Sequence, residues 1–476
     1  MTRIIKTCIL LIMALCGISV HAQQPMSAEQ AKDDLKYAEH ALKEAHPGLY
    51  RYNSKQEIDS LFEAAESKIT DSMTQQDLYR VMVPVMSRIG CGHTKFHPDN
   101  NWNDNYFFNR DKLLPLRLYI QGDNAYVLGG YSDETIKPGS EILSINNQPV
   151  SDVIRTILPC SFSDGKNTTF KFIELSRFFS GYYANMIGGS DSFKIQYSDG
   201  NIKTVTLVAI PFAEIEAFQK SKETSDSRLK PYELNFSGSD IAILTIRSFW
   251  MGSDKNFRKF LKESFSSLSE KGAQNLIIDL RDNEGGNDAR GAWLLSYLMD
   301  KDFRYYDRLE MTTDKKYSFT KNAHLPRFYG ILRRLISKTD SGTYLWKHSK
   351  NLKVQKPAKE HFDGRVIVLI NGASFSVTSE FAAAAHYNKR ATFIGEETGG
   401  GYYGDNSGTF AIVTLPNSRL NIGIPLVGYY MAVKDYPWPA HGVIPEVRVN
   451  PTVEDIITGN DVVMKAALSY ISATRH

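Results

Sequence analysis

Two stretches of this 476-residue chain have the make-up of a chemical site. One is Asn275-Leu-Ile-Ile-Asp-Leu-Arg-Asp-Asn-Glu-Gly-Gly286; the other is Val366-Ile-Val-Leu-Ile-Asn-Gly-Ala-Ser-Phe-Ser-Val-Thr-Ser-Glu-Phe381. Each is a run of aliphatic and β-branched residues, as in a buried strand, that stops at a polar, glycine-bearing turn. The second turn hands Ser376 to the start of an alanine-rich helical pattern. A strand, a tight turn and a hydroxyl at a helix N-terminus is one way a fold presents a nucleophile, and the outward N–H groups there can stabilise an oxyanion. The bland alternative is that Ser374, Ser376, Thr378 and Ser379 merely cap a helix. What separates the two readings is whether a base reaches Ser376.

The elements that must position these turns can be traced along the chain. Ser27-Ala-Glu-Gln30 is a capping box, followed by helical spacing (Leu35, Ala38, Leu42) as far as Ala45. Further helical patterns cover Gln56 to Ile69 and Thr74 to Ile89, so residues 24–105 read as a small helical cap whose last helix runs out into Cys91-Gly-His-Thr94. From Leu113 the period becomes two, with strands at 116–120, 125–128, 192–197 and 204–208 around a helix-like insertion from Asn167 to Met186. Residues 110–212 are thus a β unit, and the charged stretch Lys220 to Lys230 reads as a linker. Beyond it strands (241–246, 275–280, 366–370, 392–394) alternate with helices (254–268, 289–299, 377–387). Residues 301–359 read as a loop-rich basic insertion, and strands at 408–415 and 419–425 close the pattern. That order predicts an α/β domain over 231–460 with its active face beyond the carboxyl ends of the strands.

A formal charge of +3 leaves no footprint for nucleic acid. Arg3 and Lys6 precede an apolar run from Cys8 to Val20, closed by Val20-His-Ala22. This is the pattern of a secretory signal over residues 1–22, cleaved after Ala22 and too short to span a membrane. Leu15 before Cys16 argues against lipidation. The expectation is a periplasmic or extracellular protein without stable membrane insertion. Cys91 and Cys160 then remain, too few for a disulfide scaffold and without zinc spacing. The glycine run Gly399 to Gly401 lacks the Lys-Ser/Thr pair of a phosphate loop.

Ile277-Ile-Asp-Leu-Arg-Asp-Asn-Glu-Gly-Gly286, Ser374-Phe-Ser-Val-Thr-Ser-Glu380, Ile394-Gly-Glu-Glu-Thr-Gly-Gly400 and Gly442-Val-Ile-Pro-Glu446 together resemble the secreted serine peptidases of the C-terminal processing (tail-specific) and tricorn-like group. The resemblance implies a catalytic core of the crotonase/ClpP type. Lys137-Pro-Gly-Ser-Glu-Ile-Leu-Ser-Ile-Asn146 is similar to the core of a PDZ domain, a module of this group that binds extended peptide by strand addition. Processing peptidases carry a general-base lysine twenty-five residues after the serine; here that place is Gly401, in a loop without lysine. The tricorn-like branch instead supplies a histidine from a Gly-His-Thr/Val motif, which here is Ile89-Gly-Cys-Gly-His-Thr94. The resemblance therefore implies Ser376 as nucleophile and His93 as base, with an oxyanion hole from Val377 and Gly285 or Gly286. Members of that branch can orient the histidine with a serine just before it and a glutamate before Gly-Val-x-Pro. Those places hold Gly92 and Pro439-Ala-His441, so the third member is open. No cofactor or metal is implied, and the expected partner is a peptide or unfolded protein. Two other readings are a non-catalytic binding protein on a degenerate scaffold and an esterase using the same pair.

Overall fold

The computed structural model describes residues 25–98, 105–132, 135–226 and 229–473; the expected signal segment lies outside them. The aliphatic runs assemble into a six-stranded sheet in the order Val447–Arg448, Thr392–Gly395, Arg365–Ile370, Asn275–Asp279, Ile241–Ile246, Tyr232–Ser237. All neighbours pair in parallel except the last, an antiparallel edge. Strands buried on both faces need apolar residues at every position, and Leu276, Ile277, Ile278, Ile367 and Val368 are fully buried. The C-terminal helix Val462–Ala473 covers one face through Val463, Ala467 and Ile471. Asp279 pairs with Leu369, so the turns that follow these two strands emerge side by side at their carboxyl ends.

The last two expected strands are longer than the sequence suggested, Asn406–Thr414 and Asn421–Met431, and they leave the parallel sheet. They form the middle of a separate antiparallel sheet with Ala323–His324, Tyr306–Met311, Tyr344–Trp346 and Ile336–Lys338. The stretch read as a loop-rich insertion therefore supplies four strands. Each is six residues or fewer, and only Leu309 and Met311 place buried residues at the strand spacing of two. The expected linker is also partly helical, since a helix runs from Phe212 to Asp226.

Capping boxes open all three cap helices, Ala28–Ala45, Lys55–Glu66 and Gln75–Arg88. Their apolar faces (Leu35, Leu42, Phe62, Leu78, Met82) join the same hydrophobic core as Ile278, Val368 and Phe381. After the third helix the chain forms a short strand, Lys95–His97, which pairs antiparallel with Asn421–Gly423. The cap thus adds a strand to the second sheet. The β unit, strands Leu116–Gln121, Asn124–Gly130, Glu141–Ile145, Ser192–Ser198 and Ile202–Val208, keeps a core of its own around Leu118, Val127, Ile142 and Phe193. Its helix Thr169–Met186 packs on the first of those strands and reaches the α/β domain, where Thr169 Oγ1 donates to Glu397 O at 2.9 Å and Asn167 Nδ2 to Thr398 O at 3.0 Å.

A second tether binds cap to sheet. Asp34 is fully buried in the first helix and accepts from Ser418 N (2.6 Å), Asn417 N (2.9 Å) and Asn417 Nδ2 (3.1 Å) in the turn between the two long strands. Asp34→Ala strips both backbone N–H groups of their acceptor and is expected to cost about 3 kcal/mol in urea unfolding, with the exposed neighbour Asp33→Ala within about 0.5 kcal/mol of the parent.

Candidate active site

Ser376 follows the strand Arg365–Ile370 at the N-cap of helix Val377–Tyr387, and its side chain makes no capping bond. The two neighbouring serine hydroxyls are spent on the turn: Ser374 Oγ donates to Leu280 O at 2.9 Å, and Ser379 Oγ to Ser374 O at 2.7 Å. Ser376 has φ 55° and ψ −127°, a conformation that costs an L-residue on the order of 1–3 kcal/mol and persists only when its surroundings enforce it. Here they do. Phe375 N donates to Asn283 O at 3.2 Å, and Gly399 N to Ser374 O at 3.0 Å, so both glycine turns grip the elbow. Of residues 372–380, Ser376 is the one that is not buried. The strained turn lifts a single hydroxyl out of a closed surface.

His93 arrives from the cap. The last cap helix ends at Arg88, the chain turns through Gly90, and the strand Lys95–His97 fixes what lies just before it. His93 Nε2 lies 3.2 Å from Ser376 Oγ, across 283 residues of sequence. Its ring stacks on Phe375 with centroids 4.6 Å apart, and Phe375 stacks on Phe170 at 4.7 Å. A Cβ on Gly92 would come within 2.7 Å of the Phe375 ring, so glycine permits this approach. Burial pushes the His93 pKa down to about 4, with the Asp164 charge opposing and Lys95 reinforcing that shift. At neutral pH the imidazole is uncharged and able to accept a proton.

The other sequence-selected residues divide. Val377 N and Gly285 are close together, since a Cβ on Gly285 would lie 2.9 Å from Val377 N and 2.8 Å from Ser376 Cβ. Gly285 N–H, however, already donates to Asn283 Oδ1 at 3.0 Å. Gly285 serves close approach at φ 97°, and of the three N–H groups expected to hold an oxyanion its own is already committed. Cys91 and Cys160 are buried and unpaired. Burial pushes the Cys91 thiol up to about 11, which removes it as a thiolate nucleophile. His441 Nδ1 lies 3.1 Å from Glu397 Oε1. Glu380 is buried beneath the helix, receives a hydrogen bond from Tyr306 Oη at 2.7 Å, and is pushed far above the usual carboxylate range by burial and by Asp405 and Asp288.

Two carboxylates that the sequence reading passed over belong to this site. Asp164 is 1 % exposed; its Oδ1 accepts from Gly92 N at 2.8 Å and its Oδ2 from Gly401 N at 3.1 Å. It therefore joins the histidine loop to the glycine loop. Asp405 is 3 % exposed, accepts from Ser407 Oγ at 3.0 Å and lies against the Ser376 hydroxyl. Burial pushes each up to about 6. Their only sequence signal is an Asp beside a glycine, Asp164-Gly165 and Gly404-Asp405, which reads as an ordinary turn.

Residues 240–449 match the family model described as Peptidase family S41. Residues 240–449 are a peptidase family S41 domain, and the chain that carries it is a serine-type peptidase. Among solved structures, mature CPAF superimposes with a TM-score of 0.60 at 15 % identity, covering 94 % of this chain and 99 % of that one. Mature CPAF complexed with lactacystin gives 0.60 at 16 %, covering 92 % and 97 %. At such identities the likeness is one of fold, and it extends over the cap and the β unit as well as the S41 domain. The matched segment contains Ser376, Val377 and both glycine turns; His93 and Asp164 lie before it.

The packing around Gly285 yields a direct test. Gly285→Ala places a methyl against Ser376 and Phe375 O at a positive φ, whereas Gly238→Ala, at φ 72°, meets nothing within 4 Å. Gly238→Ala is expected to lose about 1 kcal/mol and Gly285→Ala at least about 2 kcal/mol more in chemical denaturation.

Proposed function

We propose that this S41 peptidase hydrolyses peptide bonds through an acyl-enzyme, with Ser376 as nucleophile and His93 as general base. The observation that carries the reading is the 3.2 Å approach of His93 Nε2 to a strained, solvent-reachable Ser376 Oγ. Ser376 Oγ adds to the scissile carbonyl carbon while its proton passes to Nε2. The carbonyl oxygen becomes an oxyanion on the N–H groups of Val377 and Gly286. His93 then protonates the departing amine, leaving the acyl group on Ser376, and water repeats the sequence to release the acid. Holding nucleophile and base preassembled against a rigid helix removes the entropy of bringing them together.

The substrates in this reading are peptides or unfolded protein segments, with the PDZ-like unit holding an extended segment beside the cleft. Export to the periplasm or exterior is part of the proposal and is supported by the N-terminal pattern alone. Among the described residues, no helix is long and apolar enough to cross a membrane.

Exposure of the mature protein to a fluorophosphonate, followed by mass spectrometry, tests the mechanism. A single adduct on Ser376 is expected, absent in Ser376→Ala and slowed by about 10²–10⁴-fold in His93→Ala, with both variants folded. Equal labelling of the parent and His93→Ala would remove His93 as base. No adduct on a well-folded parent would favour a binding protein on this scaffold.

A further inference from the structure

The pair leaves one side of the base unaccounted for. If Nε2 accepts from Ser376, the ring proton sits on Nδ1, and Nδ1 is buried without a hydrogen-bond partner. A neutral imidazole tolerates that. An imidazolium, formed once the serine proton arrives, places a full charge where water is largely excluded and needs a compensating anion. The nearby carboxylates are not equivalent. Glu380 is pushed well above the usual carboxylate range by burial and accepts from Tyr306, Asp405 lies against Ser376 and Ser407, and Glu397 serves His441 and Gly442 N. Asp164 alone is bonded to the peptide that precedes His93.

Resting on the Ser376–His93 reading, we propose that Asp164 is the positioning residue of the base: it clamps the His93 loop to the glycine loop through Gly92 N and Gly401 N and supplies the charge that stabilises the His93 imidazolium. Two backbone N–H bonds let a buried carboxylate remain ionised, and they fix it relative to both loops. The interaction is mutual, since Asp164 raises the affinity of His93 for its proton and His93 favours the ionised form of Asp164. The charged and titratable groups around the two are few. Asp164 faces His93, Asp405, Tyr52 and Cys91; His93 faces Asp164 and Lys95. Asp164 thus fills the role of the glutamate that the resembling group places before Gly-Val-x-Pro, where this chain has His441.

The sign of the pH effect follows from that geometry. The working state has His93 neutral and Asp164 ionised, so acid inactivates by delivering protons to a coupled pair. The acid limb should carry two protons and lie near and below pH 6, where burial has moved Asp164. Removing the anion lowers the His93 pKa further, so the limb of Asp164→Asn should move to lower pH and carry one proton fewer.

Fluorophosphonate inactivation rates across the pH range, for the parent, Asp164→Asn, His93→Ala and the double variant, decide the matter. Asp164→Asn is expected to react on the order of 10²-fold more slowly at neutral pH, with the limb displaced as above, and to add nothing in the His93→Ala background. Slowing with an unmoved limb, or slowing that persists without His93, would make Asp164 a purely structural clamp and overturn the proposal. If His93→Ala reacts like the parent, the underlying mechanism fails instead; if it is slow but Asp164→Asn reacts at the parental rate, only this inference falls. Should Asp164→Asn not fold, the limbs of the parent and of Asp405→Asn decide: a limb that keeps two protons in Asp405→Asn upholds the pair, and a one-proton limb in either protein overturns it.

Discussion

The pairing of Lys95–His97 with Asn421–Gly423 is three residues long, yet the geometry of the site hangs on it. The serine caps a helix that follows the parallel sheet, and the histidine lies just beyond a cap helix that ends at Arg88. A strand that starts two residues after His93 converts that helix exit into a fixed position. Its register is enforced by Phe96, which is buried opposite Ile422. A slip of one residue would expose Phe96 and carry His93 about 3.4 Å along the strand, beyond reach of Ser376. Asp34 on the turn after Thr414 and the shared core of the cap helices hold the same alignment from a distance.

Around this seam the fold concentrates polar groups that a core ordinarily excludes. Glu380, Asp405 and Asp164 are all nearly inaccessible, and each has a different solution to burial. Glu380 is shifted toward its neutral form by burial and accepts from Tyr306, Asp405 is offset by Arg51 and Ser407, and Asp164 is offset by two N–H groups and His93. Graded in this way, carboxylates within one small volume avoid ionising together. The arrangement also explains the aromatic stack of Phe170, Phe375 and His93, which dries one face of the imidazole without competing for its nitrogens.

The parallel sheet was legible because strands covered on both faces must be continuously apolar, and Leu276 to Ile278 and Val366 to Ile370 leave no other reading. The serine helix was legible at its first residue, since a strand ending in small polar residues has few ways to continue. The second sheet was not. Its peripheral strands are two to six residues long, and Tyr306–Met311 and Ala323–His324 draw their order from partners that lie about a hundred residues away. Asp164 was hidden for the opposite reason: locally it is an ordinary turn residue, and only the approach of Gly92 and Gly401 gives it a role. Gly285 shows that a motif can mark the right turn and still leave open which N–H is free, because Asn283, two residues earlier, bends back to take it.

That His93 precedes the matched S41 segment has a bearing on descent. With the roles proposed above, residues 240–449 hold a nucleophile whose base lies 283 residues earlier in the chain. Recombination that exchanged either part alone would graft a serine onto a foreign cap, and unless the newcomer reproduced the Phe96–Ile422 register the graft would inherit a scaffold without its chemistry. With those roles, exchange of the cap and of the S41 domain must go together for the pair to survive, whatever lengths of chain lie between them.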